Sequence, residues 1–239
     1  MTARRLAVFD MDGTLLDSLP DLAESCREML VSYGLPPVSD AEVRGMIGQG
    51  VQVLVTRALA LVARKLAGQP GAPVAPLPES TDAAERFMAC YTPRAARLSR
   101  LFPGTEEALH ILRAQGWGLA VCTNKPERAA RAILDALGVA ALFSAVGGGD
   151  SFTARKPDPG HLLGTIAQAG GQAARSVMVG DMPPDWLAAQ GAGCSFVFAA
   201  WGYGGAAPAQ DLSCPVALAQ SMAEVPAMLD ALLPGAVPR

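Results

Sequence analysis

Short runs of apolar residues alternate with helical patterns along most of the chain. Five such runs are each followed by a turn, and they cover residues 6–9, 119–122, 145–146, 176–179 and 195–198. Apolar residues are continuous within these runs, which is typical of strands buried on both faces of a parallel sheet. The pattern therefore predicts a sheet that is covered on both sides.

Helices are predicted between these strands from apolar residues spaced three and four positions apart. They cover residues 106–115, 126–137 and 184–190, and a glycine follows each of them as a stop signal. Ser221 and Glu224 have the spacing of a capping box, which predicts a last helix reaching about residue 233. Because strands alternate with helices, we expect right-handed crossovers and a doubly wound α/β sheet.

A long insertion separates the first two predicted strands. About a hundred residues lie between them, too many for one crossover. Apolar spacing predicts mainly helices there, at residues 21–31, 41–46, 51–65 and 81–91. We therefore expect two domains, a core of residues 1–16 and 99–239 and a small helical domain of residues 17–98. Residues 67–80 are rich in Ala, Gly and Pro and are expected to form a surface loop.

Composition narrows the class of protein. The chain has 239 residues, of which 51% are hydrophobic and 17% are charged, which excludes a disordered or fibrous protein. A net charge of −3 gives no electrostatic footprint for nucleic acid. No stretch of about 18 apolar residues lacks a charge, so we expect no membrane span, and the apolar stretch at residues 6–9 is too short for a signal peptide.

The cysteines and histidines also carry information. Five scattered cysteines without a CxxC pair indicate reduced thiols and a cytoplasmic location. The chain contains only two histidines, which excludes a histidine-rich metal centre and argues against a histidine-based hydrolase.

Polar residues follow four of the predicted strands, at the edge of the sheet where open α/β folds bind ligands. They are Asp10, Asp12 and Gly13 after the first strand, Thr123 and Asn124 after the second, Lys156 after the third, and Asp181 and Asp185 after the fourth. Two carboxylates next to a buried strand are costly unless they are paired or bind a metal. Thr-Asn at a helix start, a lone lysine and an acidic pair each have ordinary structural explanations, but together they reinforce one another.

These motifs identify the chain as resembling the haloacid dehalogenase superfamily of phosphohydrolases, and within it the phosphoglycolate phosphatases. The resemblance covers essentially the whole length. It rests on Phe9-Asp10-Met11-Asp12-Gly13-Thr14-Leu15, Gly48-Gln49-Gly50, Arg57-Ala58-Leu59, Pro103-Gly104, Thr123-Asn124-Lys125-Pro126 and Lys156-Pro157. It implies a Rossmann-like catalytic core with an inserted helical cap domain.

The resemblance also implies residue roles in a phosphatase. Asp10 would be the nucleophile that forms an aspartyl-phosphate, and Asp12 would protonate the leaving group and then activate water. The required cofactor would be Mg²⁺, held by Asp10, the Asp12 backbone carbonyl and Asp181, with Asp185 as a ligand or a support for one.

Phosphate binding is assigned by the same resemblance. Thr123, Asn124 and Lys156 would hold the phosphoryl oxygens, and Gly13 would let backbone N–H groups approach them. One departure is the sequence Met182-Pro183-Pro184 after Asp181, where the family usually has a small residue.

The sequence leaves the substrate open. The expected partner is a small phosphorylated metabolite, and Arg44 and Gln49 in the cap are candidates for meeting its non-phosphate end, although a surface Arg and a turn Gln explain them equally well. Alternatives are a sugar-phosphate phosphatase, for example for N-acetylmuramate 6-phosphate, a phosphomutase similar to β-phosphoglucomutase, and a non-enzymatic binding protein. A monomer and a homodimer are both compatible with the sequence.

Overall fold

The computed structural model describes residues 4–68, 77–205 and 214–235. The described residues form two compact units, one from Met1–Asp17 together with Arg100–Arg239 and the other from Ser18–Ser99. We call them the sheet unit and the helical unit. Most of the loop that the sequence predicts at residues 67–80 lies outside the described residues, and Ser80 begins a helix.

A six-stranded parallel sheet is the centre of the sheet unit. Its strands are β1 (Leu6–Phe9), β4 (Gly118–Cys122), β5 (Ala145–Gly147), β6 (Ser176–Gly180), β7 (Ser195–Ala199) and β8 (Val216–Ala219). Their order across the sheet is β5-β4-β1-β6-β7-β8. Because β1 pairs in parallel with both β4 and β6, the residues that follow these three strands emerge side by side at one edge. The predicted α/β class and its five strands are confirmed.

A two-stranded antiparallel ladder lies at the junction of the two sequence segments of the sheet unit. It consists of β2 (Leu16–Asp17) and β3 (Arg100–Leu101). The pairing places the point where the chain leaves the sheet unit beside the point where it returns.

Helices cover both faces of the sheet, because β1, β4 and β6 are buried at every position. They are α5 (Thr105–Ala114), α6 (Glu127–Ala136), α7 (Pro159–Gln168), α8 (Pro183–Ala192) and α9 (Val225–Leu232). Leu6 and Val8 of β1 pack in the apolar cluster that includes α7 and α8 residues. Successive strand side chains point to opposite faces, so Ala7 and Phe9, which are also buried, face the other layer.

Three features differ from the sequence-based expectations. Helix α7 and strand β8 are present although neither was predicted. The expected capping box at Ser221 was wrong, because the Ser221 side chain makes no cap hydrogen bond. The Glu224 carboxylate instead accepts the Gln220 N–H at 2.9 Å, and a 3₁₀ helix at Met222–Glu224 precedes α9.

The described residues of the helical unit form four α-helices. They are α1 (Leu19–Ser32), α2 (Asp40–Arg44), α3 (Val51–Ala67) and α4 (Ser80–Tyr91). Ser39 and Glu42 form a capping box at the start of α2. Asp21 of α1 is fully buried, and its Oδ2 accepts the backbone N–H groups of Leu98 at 2.9 Å and of Ser99 at 2.7 Å. Helix α1 therefore binds the last two residues of its own unit.

No helix among the described residues combines the length and the hydrophobicity that crossing a bilayer requires.

Candidate active site

Three carboxylates converge where β1 and β6 end. Asp10 follows β1, Asp181 follows β6 and Asp185 lies in the first turn of α8, and all three are buried. One carboxylate oxygen from each lies within 4.8 Å of the others. Neighbouring parallel strands produce this arrangement because their carboxyl ends lie at the same edge of the sheet.

Lys156 is the cation in contact with this cluster. Its Nζ lies 2.8 Å from Asp10 Oδ1 and 2.7 Å from Asp185 Oδ1, and it donates to the Cys122 carbonyl oxygen at 2.6 Å. The ammonium therefore links the ends of β1 and β4 to the start of α8. Asp185 reaches it although Pro183 and Pro184 occupy the first turn of α8, because proline at these positions removes no intrahelical hydrogen bond.

The cluster has more negative charge than one lysine can neutralise. Burial, followed by the Asp185 and Asp12 charges, raises the pKa of Asp10 to about 7 against the lowering effect of Lys156. Burial and the charges of Asp10 and Asp185 also raise the pKa of Asp181 well above its ordinary value. Burial acts to lower the pKa of Lys156, but the adjacent Asp10 and Asp185 carboxylates raise it above the ordinary value.

This electrostatic imbalance fits a divalent cation. The cluster offers only carboxylate oxygens, the donors that hard cations such as Mg²⁺ and Ca²⁺ prefer. A buried oxygen of a fourth acid, Asp12 Oδ1, has no hydrogen-bond partner in the structure. A divalent cation would remove the repulsion that raises the carboxyl pKa values.

Asp181 is held in place by residues that were given no role from the sequence. Thr14 Oγ1 donates to its Oδ1 at 3.0 Å, and the Tyr203 N–H donates to its Oδ2 at 2.7 Å. Gly202 lies so close that a Cβ there would be 2.3 Å from the Asp181 Cβ. No role was predicted for this glycine-rich stretch, although its position directly after β7 places it at the same edge of the sheet.

Asp12 pairs with a second buried lysine. Lys125 Nζ lies 3.0 Å from Asp12 Oδ2, and Lys125 is only 6% exposed. Lys125 was part of the motif that carried the resemblance, but no role was assigned to it. The structure thus shows a second ion pair beside the one between Lys156 and Asp10.

The expected phosphate-binding residues lie around these two pairs. Thr123 is buried and its Oγ1 accepts the Lys125 N–H at 3.2 Å, while Asn124 Nδ2 donates to the Lys156 carbonyl oxygen at 3.0 Å. Gly13 has φ +92°, and a Cβ there would lie 2.5 Å from Asp181 Oδ2. The Gly13 N–H donates to the Leu16 carbonyl oxygen at 3.0 Å, so a phosphate would have to compete for it.

His161 forms a hydrogen bond with the backbone of the loop that carries Lys156. Its Nδ1 accepts the Lys156 backbone N–H at 3.1 Å, and its Nε2 lies 3.2 Å from the Gly147 carbonyl oxygen. The first contact requires Nδ1 to be unprotonated, so Nε2 carries the proton that Gly147 accepts. Burial and the nearby Lys156 charge lower the pKa of His161 to about 4, which keeps the ring neutral.

The two candidate substrate residues of the helical unit have different surroundings. Arg44 ends α2 and is exposed. Gln49 is also exposed, and its Oε1 accepts a hydrogen bond from Arg57 at 3.0 Å. Their roles toward a substrate stay predictions.

Known proteins are similar to this chain in sequence over most of its length. The profile of the haloacid dehalogenase-like hydrolases matches residues 7–199. A phosphoglycolate phosphatase from Agrobacterium fabrum is 39% identical over 236 residues, which cover 98% of this chain and 97% of the relative. A phosphoglycolate phosphatase from Cereibacter sphaeroides is 41% identical over 199 residues, which cover 82% of this chain and 85% of the relative.

A solved structure shows the same fold. It is described as a predicted phosphoglycolate phosphatase from Haemophilus somnus 129PT, and it superimposes with a TM-score of 0.83 at 33% sequence identity. The match covers 95% of this chain and 99% of that protein.

Proposed function

The chain belongs to the haloacid dehalogenase-like hydrolase family, and from that membership we propose that it is a Mg²⁺-dependent phosphatase. It hydrolyses a small phosphomonoester of the phosphoglycolate type through an aspartyl-phosphate on Asp10. Relatives named phosphoglycolate phosphatase that align with nearly the whole chain support the substrate class.

The observation that carries the proposal is the environment of the Asp10 carboxylate. It is buried at the end of the central strand, 2.8 Å from the Lys156 ammonium, and it shares a 4.8 Å cluster with Asp181 and Asp185. A carboxylate held among fixed charges in a site of low dielectric is suited to attack a phosphorus whose oxygens those charges neutralise.

The proposed reaction has two displacements at phosphorus. In the first, an Asp10 oxygen bonds to phosphorus while the ester P–O bond breaks, and Asp12 gives its proton to the leaving alkoxide. In the second, Asp12 takes a proton from water, the water oxygen bonds to phosphorus, and the bond to Asp10 breaks. Inorganic phosphate leaves and both carboxyl groups return to their starting states.

Metal binding falls to the acids of the cluster. Asp10, Asp181 and the Asp12 backbone carbonyl would hold Mg²⁺, with Asp185 as a ligand or as the group that orients Lys156. When bound, the ion supplies positive charge that stabilises the phosphoryl oxygens. The proposal for this metal rests on the oxygen-only donor set and on the excess negative charge.

Other residues would bind and enclose the phosphate. Thr123, Asn124 and Lys156 would hold the phosphoryl oxygens, and Gly13 leaves room for Asp181. We assign to the helical unit the role of a cap that restricts water, because its boundaries at Ser18 and Ser99 make it a separate insertion.

Activity should depend both on the Asp10 carboxylate and on a divalent metal ion. Asp10→Asn should lower phosphate release from 2-phosphoglycolate by at least about 10³-fold, because an amide cannot form the phosphoenzyme. EDTA should abolish wild-type activity and excess Mg²⁺ should restore it. Asp135→Asn, which changes an exposed acid of α6, is the matched control and should retain full activity.

A substrate panel distinguishes the proposed activity from its alternatives. Phosphate release is measured with 2-phosphoglycolate, N-acetylmuramate 6-phosphate and glucose 1-phosphate, and isomer formation is followed with the last. Preferential release from N-acetylmuramate 6-phosphate would identify a sugar phosphatase. Isomer without free phosphate would identify a mutase, and full activity of Asp10→Asn would remove the mechanism.

A further inference from the structure

Two buried lysines lie at the edge of the sheet where the carboxylates converge. Among residues 4–68, 77–205 and 214–235, Lys125 and Lys156 are the only lysines or arginines that are buried. Lys156 directs its ammonium to Asp10, Asp185 and the Cys122 carbonyl. Lys125 is the cation beside Asp12.

Two backbone hydrogen bonds fix the loop at Lys125. The Lys125 N–H donates to Thr123 Oγ1 at 3.2 Å, and the Lys125 carbonyl accepts the Gly149 N–H at 2.9 Å. The side chain is only 6% exposed, so the ammonium is held beside Asp12 and not in solvent. A carboxylate that binds there would meet a cation already in place.

The position beside Asp12 places the Lys125 charge near the leaving group. An acid that protonates a leaving oxygen must lie within about 2.6–3.2 Å of it, and Lys125 Nζ is 3.0 Å from the Asp12 carboxylate. In a leaving group of the glycolate type, the carboxyl carbon is two bonds from the leaving oxygen. A carboxylate there can accept a hydrogen bond from the same ammonium that Asp12 contacts.

Lys125 and Lys156 lie beside different acids. Lys156 is bonded to Asp10 and Asp185, whereas Lys125 lies beside Asp12, the acid assigned to the leaving oxygen. A carboxylate on the leaving group would gain a charge-assisted hydrogen bond from Lys125. A neutral leaving group, such as a simple alcohol or a sugar, would gain no such bond, so the contact would favour an acidic substrate.

We propose that Lys125 is a specificity-determining residue that binds a carboxylate on the leaving group of the substrate. The inference rests on the proposed phosphatase function and narrows its substrates to phosphorylated hydroxy acids. It assigns recognition of the carboxylate to the sheet unit rather than to Arg44 of the helical unit.

The test compares two substrates that differ in the carboxylate. The ratio of kcat/KM for 2-phosphoglycolate to kcat/KM for ethyl phosphate is measured with Mg²⁺ in the wild type and in Lys125→Met. We expect the ratio to fall about 10- to 100-fold in Lys125→Met, the range expected for a hydrogen bond to a charged group. If Lys125→Met also disturbs Asp12, kcat/KM falls for both substrates, and this loss cancels in the ratio.

Three further variants sharpen the comparison. Lys125→Arg keeps the charge and should restore most of the ratio. Lys65→Met removes a lysine that pairs with Glu42 at 2.8 Å on the helical unit, and it should leave the ratio unchanged. Arg44→Met removes the competing candidate for the carboxylate and should also leave the ratio unchanged.

An unchanged ratio in Lys125→Met overturns the inference, as does a ratio that falls in Arg44→Met instead. If Lys125→Met does not fold, Arg44→Met decides through inhibition of p-nitrophenyl phosphate hydrolysis. Glycolate should still inhibit Arg44→Met at least about tenfold more strongly than ethylene glycol, and equal inhibition rejects the proposal. Failure of the wild type to hydrolyse any of these esters would instead reject the phosphatase function.

Discussion

At the scale of single residues, the site depends on how its buried charges are paired. An isolated charge is costly in a protein interior, and a partner at hydrogen-bond distance offsets that cost. Lys156 partners Asp10 and Asp185, while Lys125 partners Asp12. Each acid with a proposed chemical role therefore has its own cation. Lys156 lies beside Asp10, which would attack phosphorus, and Lys125 lies beside Asp12, which would carry the proton.

His161 contacts this site through the backbone N–H of Lys156. The neutral ring joins the Lys156 N–H to the Gly147 carbonyl at the end of β5. His161→Phe loses both contacts, so we expect kcat for 2-phosphoglycolate to fall about tenfold while KM changes little. His161→Asn can present an acceptor near the Nδ1 position and should recover part of kcat, which a purely packing role would not predict.

The lowered pKa of His161 also predicts a pH dependence of stability. The unfolded histidine binds a proton near pH 6.5 but the folded one only near pH 4, so its contribution is present above pH 6.5 and is lost as the pH falls toward 4. The excess unfolding free energy of the wild type over His161→Asn should shrink by on the order of 2 kcal/mol between pH 7.5 and 4.5. Urea unfolding at the two pH values measures it, and a constant difference would contradict the assignment.

At the scale of elements, hydrogen bonds join the first helix of the helical unit to the last residues of that unit. Helix α1 holds the end of the helical unit through Asp21, whose Oδ2 also accepts the Ser99 hydroxyl at 2.7 Å. All of these donors converge on one buried carboxylate. Nothing in the period of α1 signals this role, because an acid in a first turn is ordinary.

Removing the Asp21 carboxylate should therefore destabilise the protein. Asp21→Ala removes a buried carboxylate that accepts the Leu98 N–H, the Ser99 N–H and the Ser99 hydroxyl, and we expect a loss of about 2–4 kcal/mol in unfolding free energy. Asp82→Ala removes an exposed first-turn acid of α4 and should change stability by less than about 0.5 kcal/mol beyond its helix effect. Equal losses in the two variants would show that Asp21 has no special role.

The elements also show which features a sequence pattern can predict. The five predicted strands were found because each is a continuous apolar run, and the position of Asp10, Thr123 and Asp181 at one edge follows from parallel pairing. Helix α7 was missed because Gly160 and Gly164 weaken its pattern, although Asp158 and Pro159 are good start signals.

Contacts from distant loops could not be predicted in the same way. The bonds that Tyr203 makes to Asp181, that His161 makes to Gly147 and that Lys125 makes to Asp12 join segments far apart in sequence. Their geometry depends on the course of whole loops, which neither periodicity nor turn residues specify. The sequence therefore indicates the acids of the site better than the residues that orient them.

At the scale of the whole molecule, the proposed metal ligands all belong to one of the two units. Asp10, Asp12, Asp181 and Asp185 lie in the sheet unit, whereas residues 18–99 form the helical unit. Metal binding should therefore be coupled to the stability of the sheet unit directly. Binding to the native state alone adds RT ln(1 + [L]/Kd) to the unfolding free energy, about 2.7 kcal/mol at a hundredfold excess over Kd.

Hydrogen exchange can show where that stabilisation acts. Adding Mg²⁺ without substrate should slow amide exchange in peptides that contain the ends of β1 and β6 and the start of α8, because the ion relieves repulsion among their carboxylates. Peptides from α1, α3 and α4 should exchange at an unchanged rate. Asp181→Asn should lose the Mg²⁺ effect while Asp135→Asn keeps it. Protection confined to the helical unit would place the ion elsewhere and reject the metal site at Asp10, Asp181 and Asp185.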